Sequence, residues 1–163
     1  IVEPEVLMDG SHSIEECYDA TSRTLKSLFQ NLEEENVDIT GTILKPNMVT
    51  PGTEHQEKVG VETVAKETLR SLHECVPDNL PAITFLSGGQ SETVSTEHLD
   101  AMNKIGGFPW KLSFSYGRAL QAGALKAWLG KPENVDTAQS AFSHRALMNK
   151  KAALGQWSKD LEV

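Results

Sequence analysis

The sequence has 163 residues, 39% hydrophobic and 23% charged, with 12 Gly and 7 Pro, the proportions of an ordinary globular domain rather than a disordered or collagenous chain. Fifteen Lys and Arg against 23 Asp and Glu leave a net charge of −8, which repels nucleic acid and anionic lipid, so an anionic ligand has to be held by a few local groups. No window approaches the ~20 apolar residues that a bilayer span needs, and Glu3-Pro4-Glu5 follows too early for a secretory leader. The chain starts without Met, inside an apolar, strand-like phrase, which points to a piece of a longer protein. Cys17 and Cys75 are far apart in sequence, a pattern of reduced structural thiols rather than of a disulfide framework or a CxxC site.

Ile1-Val2 ends a first strand. Ser13 with Glu16 forms a capping box, and Ile14, Cys17, Tyr18, Leu25, Leu28, Phe29 and Leu32 recur at helical spacing to about Glu35. Gly41 to Lys45 is expected as a second strand, stopped by Pro46-Asn47. Val61, Val64, Ala65, Leu69, Leu72 and Val76 mark a second helix, which ends before Pro77. Ala82 to Leu86 forms a third strand, closed by Ser87-Gly88-Gly89. Val94, Leu99 and Met102 mark a shorter helix, and Lys111 to Phe114 a fourth strand. A helix from Arg118 to Leu129 is terminated by Gly130 and Pro132, and a last one runs from about Glu133 to Leu154 with Ala138, Phe142, Ala146 and Ala153 on one side.

Four strand–helix units in succession are the signature of parallel βα units with right-handed crossovers. The strands recur at roughly 40, 40 and 29 residues, against ~31 per unit in a ~250-residue eight-fold barrel. Periodicity leaves both a flavodoxin-like open sheet and half of a (β/α)8 barrel open.

In either architecture the carboxyl ends of the strands share one rim. Glu3, Lys45 and Ser87 stand at such ends, and Ser115, Gly117 and Arg118 follow the fourth strand in the same way. Period-2 alternation puts Ile43 and Lys45 on one face, where an ammonium avoids burial against the helix layer. A lysine so placed can attack a carbonyl carbon and form a Schiff base, whose protonated imine is an electron sink needing no metal or cofactor. Carbinolamine dehydration calls for a carboxyl group; Glu3 is the candidate, with Glu5 a second carboxylate beside it. Ser87-Gly88-Gly89 and Ser115-Tyr116-Gly117-Arg118 resemble phosphate cradles, glycine admitting an anion close to backbone amides and Arg118 supplying a fork of donors. His12, His55, His73, His98 and His144 form no HxH or HxxxH pair, so no metal site is indicated. Trp110, Trp128 and Trp157 lack basic interleaving and are expected to pack.

Ile1-Val2-Glu3-Pro4-Glu5-Val6, Leu44-Lys45-Pro46-Asn47-Met48-Val49, Phe85-Leu86-Ser87-Gly88-Gly89 and the run from Trp110 through Arg118 to Gln121 together resemble class I fructose-bisphosphate aldolase, in the right order and through nearly the whole chain. The resemblance implies a (β/α)8 barrel, with residues 1–163 as its C-terminal half, strands five to eight. It implies Lys45 as the Schiff-base lysine, Glu3 as general acid/base with Glu5 its neighbour, and Ser87, Gly88, Gly89, Ser115, Gly117 and Arg118 as holders of a substrate phosphate. The implied reaction is reversible cleavage of fructose 1,6-bisphosphate to dihydroxyacetone phosphate and glyceraldehyde 3-phosphate, in glycolysis and gluconeogenesis. It requires no cofactor and no metal. A sugar phosphate substrate, a homotetramer and a cytoplasmic location, the plastid being left open, follow from the same resemblance. A scaffold or adaptor role toward cytoskeletal or membrane-associated partners is the alternative; another Schiff-base aldolase is the rival among enzymes. The family's catalytic aspartate, two further active-site lysines and the groups for the second phosphate have no counterpart in these residues, so the 163 residues alone are expected to be inactive.

Overall fold

The computed structural model describes residues 1–162. Helix α1 (Ile14–Glu34) starts at the expected capping box: Ser13 Oγ accepts from Glu16 N at 3.2 Å while Glu16 accepts from Ser13 N at 2.7 Å. Strand β1 (Ile43–Leu44), α2 (Val61–Cys75), β2 (Ala82–Phe85), α3 (Glu92–Ile105), β3 (Lys111–Phe114), α4 (Arg118–Trp128) and α5 (Val135–Ala152) follow. The sheet order is β1-β2-β3, all parallel, with Ile43 opposite Ala82 and Ala82 opposite Lys111. Val2 extends it as an isolated parallel bridge to Leu44, through Val2 N to Ile43 O (2.9 Å) and Lys45 N to Val2 O (2.8 Å).

The two faces of the sheet differ. Leu44, Ile83 and Phe85 are 0% exposed and Leu112 3%; they pack with Leu25, Leu69, Leu72 and Leu99 of the helices in one core. The alternate positions Ile43, Lys45, Ala82, Thr84 and Ser113 are only half-buried. Helices thus cover one face, as in a barrel wall; an open flavodoxin-like sheet would be covered on both.

Four expectations need correction. The second strand does not begin at Gly41: Ile39–Gly41 form a 3-10 turn, capped by Asp38, whose Oδ1 accepts from Thr40 N at 2.9 Å, and only Ile43–Leu44 pair. The last helix does not run unbroken from Glu133, since Pro132–Asn134 make a 3-10 turn ahead of α5. Its buried stripe is Arg145, Met148, Asn149 and Ala152 rather than the alanine–Phe142 side, and Phe142 is 40% exposed. Trp110 and Trp157 are buried as expected, but Trp128 is 42% exposed and lines, with Leu125 and Phe142, a groove between α4 and α5. Cys17 is buried, Cys75 half-buried, and both are free.

The α5 stripe is polar because it carries an ion pair. The buried Arg145 guanidinium grips Glu162 in two bonds, Nη1 to Oε1 at 2.9 Å and Nη2 to Oε2 at 2.6 Å, and also donates to Thr96 Oγ1 of α3. Trp157 Nε1 donates to the same Glu162 carboxylate and Trp157 N to Asp100, so the segment after α5 is tied back onto α3. Burial by itself raises the Glu162 carboxyl, but the Arg145 and Trp157 hydrogen bonds outweigh it and hold the group below its ordinary value of 4.5. Its folded-state pKa being depressed, Glu162 contributes stability that is present above that ordinary value and is lost as pH falls through the lower folded one. Removing Arg145 strands a half-buried carboxylate. Arg145→Met is therefore expected to lower stability at pH 7 by about 3 kcal/mol in urea unfolding. The stability difference between wild type and Glu162→Gln should shrink as pH drops below 4.5, and a difference independent of pH refutes the assignment.

Candidate functional site

The carboxyl ends of Val2, β1, β2 and β3 meet at one rim, because all four run parallel in register. The ladder continues past the named strands, with Leu86 N donating to Pro46 O (3.0 Å) and Ser115 N to Phe85 O (2.9 Å). Leu44 packs outward, so Lys45 faces inward, as the period-2 reading expects, with its side chain 23% exposed. Its Nζ lies 3.0 Å from Glu3 Oε2.

A cavity of about 270 Å³ opens at this rim, lined by Glu3, Glu5, Lys45, Leu86, Ser87, Gly88, Ser115, Gly117 and Arg118. All the residues singled out in sequence line it except Gly89. That residue is exposed, and a methyl placed on it would come within 4.0 Å of Arg118 Nη2, so it stands beside the guanidinium instead. Gly88 (φ +56°) and Gly89 (φ +90°) adopt left-handed backbone that other residues resist. Arg118 is the first residue of α4, so two cationic side chains and a helix start converge on the opening, an arrangement suited to an anion. Two carboxylates, Glu3 and Glu5, line the same opening, Glu3 in contact with Lys45. The charge pattern suits a ligand with a phosphate at one end and a reacting centre near Lys45 at the other. Among the described residues, no three His, Cys, Asp or Glu side chains gather as a metal-holding group.

Several residues that hold this rim escaped the sequence reading. Asn47, buried, accepts from Val6 N (3.0 Å) and donates to Thr21 Oγ1 (3.0 Å), pinning the Glu3–Glu5 segment to the turn after Lys45 and to α1. Tyr116 points away from the cavity, its hydroxyl donating to Ser95 O of α3 at 2.8 Å, and anchors the Ser115–Arg118 loop; burial pushes its pKa up. Leu86 supplies an apolar wall. The Pro46-Asn47 stop signal was the only hint of the first. Tyr116 sits inside a phrase read for its Gly and Arg.

The loops following Glu3 and Lys45 are strapped together. Gly52 N donates to His12 O (2.8 Å), Thr53 N to Met8 O (2.8 Å) and Glu54 N to Gly10 O (2.9 Å). A Cβ on Gly52 would lie 2.2 Å from Gly10 O, so only glycine allows this approach. Gly52→Ala is expected to cost about 1–3 kcal/mol in thermal or urea unfolding; a neutral result removes the strap from the account of how the Glu3 segment is held.

Parallel βα units with helices on one face and polar side chains gathered at the carboxyl rim define a protein of the (β/α) barrel class. The family model described as fructose-bisphosphate aldolase class-I matches residues 1–163, and the chain belongs to that family. It is 52% identical, across 100% of its residues, to fructose-bisphosphate aldolase 4, cytosolic, of Arabidopsis thaliana, covering 42% of that protein. It is 51% identical over 96% of its residues to the probable fructose-bisphosphate aldolase class 1 of Xanthomonas axonopodis pv. citri, covering 47% of that one. A solved structure of Plasmodium falciparum fructose-bisphosphate aldolase, in complex with TRAP and a small-molecule inhibitor, matches with a TM-score of 0.94 at 46% identity, over 96% of this chain and 45% of that one. The chain spans less than half the length of these relatives.

Proposed function

We propose that residues 1–163 are the C-terminal half of a single (β/α)8 domain whose full-length protein catalyses reversible aldol cleavage of fructose 1,6-bisphosphate to dihydroxyacetone phosphate and glyceraldehyde 3-phosphate. The observation that carries this reading is the lysine–carboxylate pair, Lys45 Nζ 3.0 Å from Glu3 Oε2, in the cavity that Ser87, Gly88, Ser115, Gly117 and Arg118 also line. Family membership over residues 1–163 supports it.

Lys45 attacks the substrate's ketone carbon once its ammonium has lost a proton, and Glu3 is within reach to accept that proton. The same carboxyl group then protonates the carbinolamine hydroxyl so that water leaves and the iminium forms. The iminium takes up the electron pair released when the adjacent carbon–carbon bond breaks, the hydroxyl on the departing carbon giving its proton to the freed Glu3 carboxylate as it becomes a carbonyl; return of that proton to the enamine, followed by hydrolysis, restores the lysine. Glu5 stands at the same rim as a second carboxylate beside Glu3. Ser87, Gly88 and Gly89 with Ser115, Gly117 and Arg118 hold one phosphate, fixing the ketone over Lys45 so that attack is effectively intramolecular. The protein is proposed to be cytosolic, as the name of the Arabidopsis relative has it for that protein, and to assemble as a homotetramer.

Borohydride reduction of the full-length protein with dihydroxyacetone phosphate, followed by peptide mapping, should place a covalent adduct on Lys45. Lys45→Met should abolish the adduct and reduce kcat by at least about a thousandfold, as loss of a nucleophile does. An adduct on another residue, or activity retained in that variant, defeats the reading. The half-exposed inner face of β1–β3 needs a second half to close it, so the 163 residues expressed alone should show no turnover. Full activity from them refutes the half-barrel assignment.

A further inference from the structure

His98 is set apart from the other four histidines by burial. It is 5% exposed on α3, and that burial lowers its pKa to about 4, so the ring is neutral. Its Nδ1 lies 2.6 Å from Gln90 Oε1. Gln90 in turn donates Nε2 to Ser87 O at 3.1 Å and faces Met48 Sδ, while Gln90 N donates to the same Ser87 O at 3.0 Å.

These contacts fix the direction of every hydrogen bond. If Gln90 were turned over, its carbonyl would face Ser87 O, two acceptors in contact. With Oε1 toward the histidine, His98 Nδ1 must carry the proton and donate. Neutral His98 thus has its Nδ1–H form selected by Gln90, and Gln90 has its amide held by His98. The consequence reaches the loop. The Ser87 carbonyl is drawn toward Gln90 by two donors, and because the peptide is planar and trans, Gly88 N–H of the same peptide points the opposite way, away from Gln90; Gly88 itself lines the rim cavity.

We propose that His98 is a positioning residue for the anion loop: by holding the Gln90 amide it sets the Ser87–Gly88 peptide so that its N–H faces a bound phosphate. The proposal rests on the reading of the rim given above. His98 does not touch the ligand; it acts through Gln90 on the loop.

The test uses the full-length protein and two probes, fructose 1,6-bisphosphate and inorganic phosphate as a competitive inhibitor. His98→Leu removes the donor and should raise KM and the phosphate inhibition constant together by about tenfold, the worth of one well-placed hydrogen bond, with kcat within about twofold of wild type. Gln90→Leu should give the same pattern, and it carries the test if His98→Leu does not fold. His98→Asn places Nδ2 where the imidazole Nδ1 stood and should recover most of the phosphate affinity. An unchanged phosphate constant in both leucine variants overturns the proposal, as does an equal loss in His98→Asn and His98→Leu. Trapping separates the two levels of failure. A Lys45 adduct in wild type with phosphate affinity indifferent to His98 and Gln90 refutes the positioning role alone. Absence of that adduct refutes the parent reading.

Discussion

One-sided burial of a parallel sheet is the constraint from which the rest follows. Leu44, Ile83, Phe85 and Leu112 have to face the helix layer, each contributing about 1.5–3 kcal/mol by leaving water. A one-residue slip of any strand would turn those side chains out and the polar ones in. The register that satisfies them puts Lys45 on the opposite face and brings the strand ends to a common level. The position of the lysine is thus fixed by its apolar neighbour in the chain. Its pairing with Glu3 follows because Val2 bridges to Leu44, the residue before Lys45, which leaves Glu3 next to the lysine across the gap.

Sheet register places strand ends but leaves loops free, and a separate set of anchors, two buried polar side chains and one backbone strap, removes that freedom. Asn47 joins three segments, Tyr116 ties the fourth loop to α3, and the strap around Gly52 joins the loops that follow Glu3 and Lys45. Asn47 and Tyr116 reach outward from the rim into the helix layer, and neither lines the cavity. Such groups are costly to bury unless paired. Their bonds are directional, which is what an anion cradle needs and what apolar packing cannot provide.

The helices were legible because their signals are local. Ser13 and Glu16 fixed the start of α1, Pro77 the end of α2, and the 3.6-residue spacing the faces of both. The rim residues were legible because they follow β-rich runs directly. What sequence hid were side-chain bonds that a hydrophobic pattern does not record. The strand expected from Gly41 competes with a 3-10 turn that Asp38 stabilises through its side chain, and a period-2 pattern carries no record of that bond. The α5 face was misassigned because its inner stripe is built on Arg145 and Asn149; a hydrophobic pattern cannot find a face whose burial is secured by ion pairing with Glu162, 17 residues further on. Trp128 was expected to pack and instead borders an open groove. Its large apolar surface says how much there is to bury, not whether a neighbour is within reach.

Charge sharpens what the rim must accomplish. A molecule with a net charge of −8 repels a sugar bisphosphate at long range, and Glu3 and Glu5 add to that repulsion at close quarters. At physiological ionic strength fields decay over ~8 Å, so most of the surface carboxylates are screened at the cavity while groups in contact with a ligand are not. On the reading proposed above, a phosphate is held by donors that touch it: the guanidinium of Arg118, the amides of the glycine loop and the start of α4. Backbone amides have an advantage here over additional lysines. A further ammonium near Lys45 would compete for Glu3, whereas an N–H dipole attracts the phosphate and leaves the lysine–carboxylate pair intact. On that reading, Lys45 and Glu3 exchange the proton while Arg118 and the loop amides hold the anion, and the orientation of each peptide in the Ser87–Gly89 loop is then a determinant of affinity in its own right.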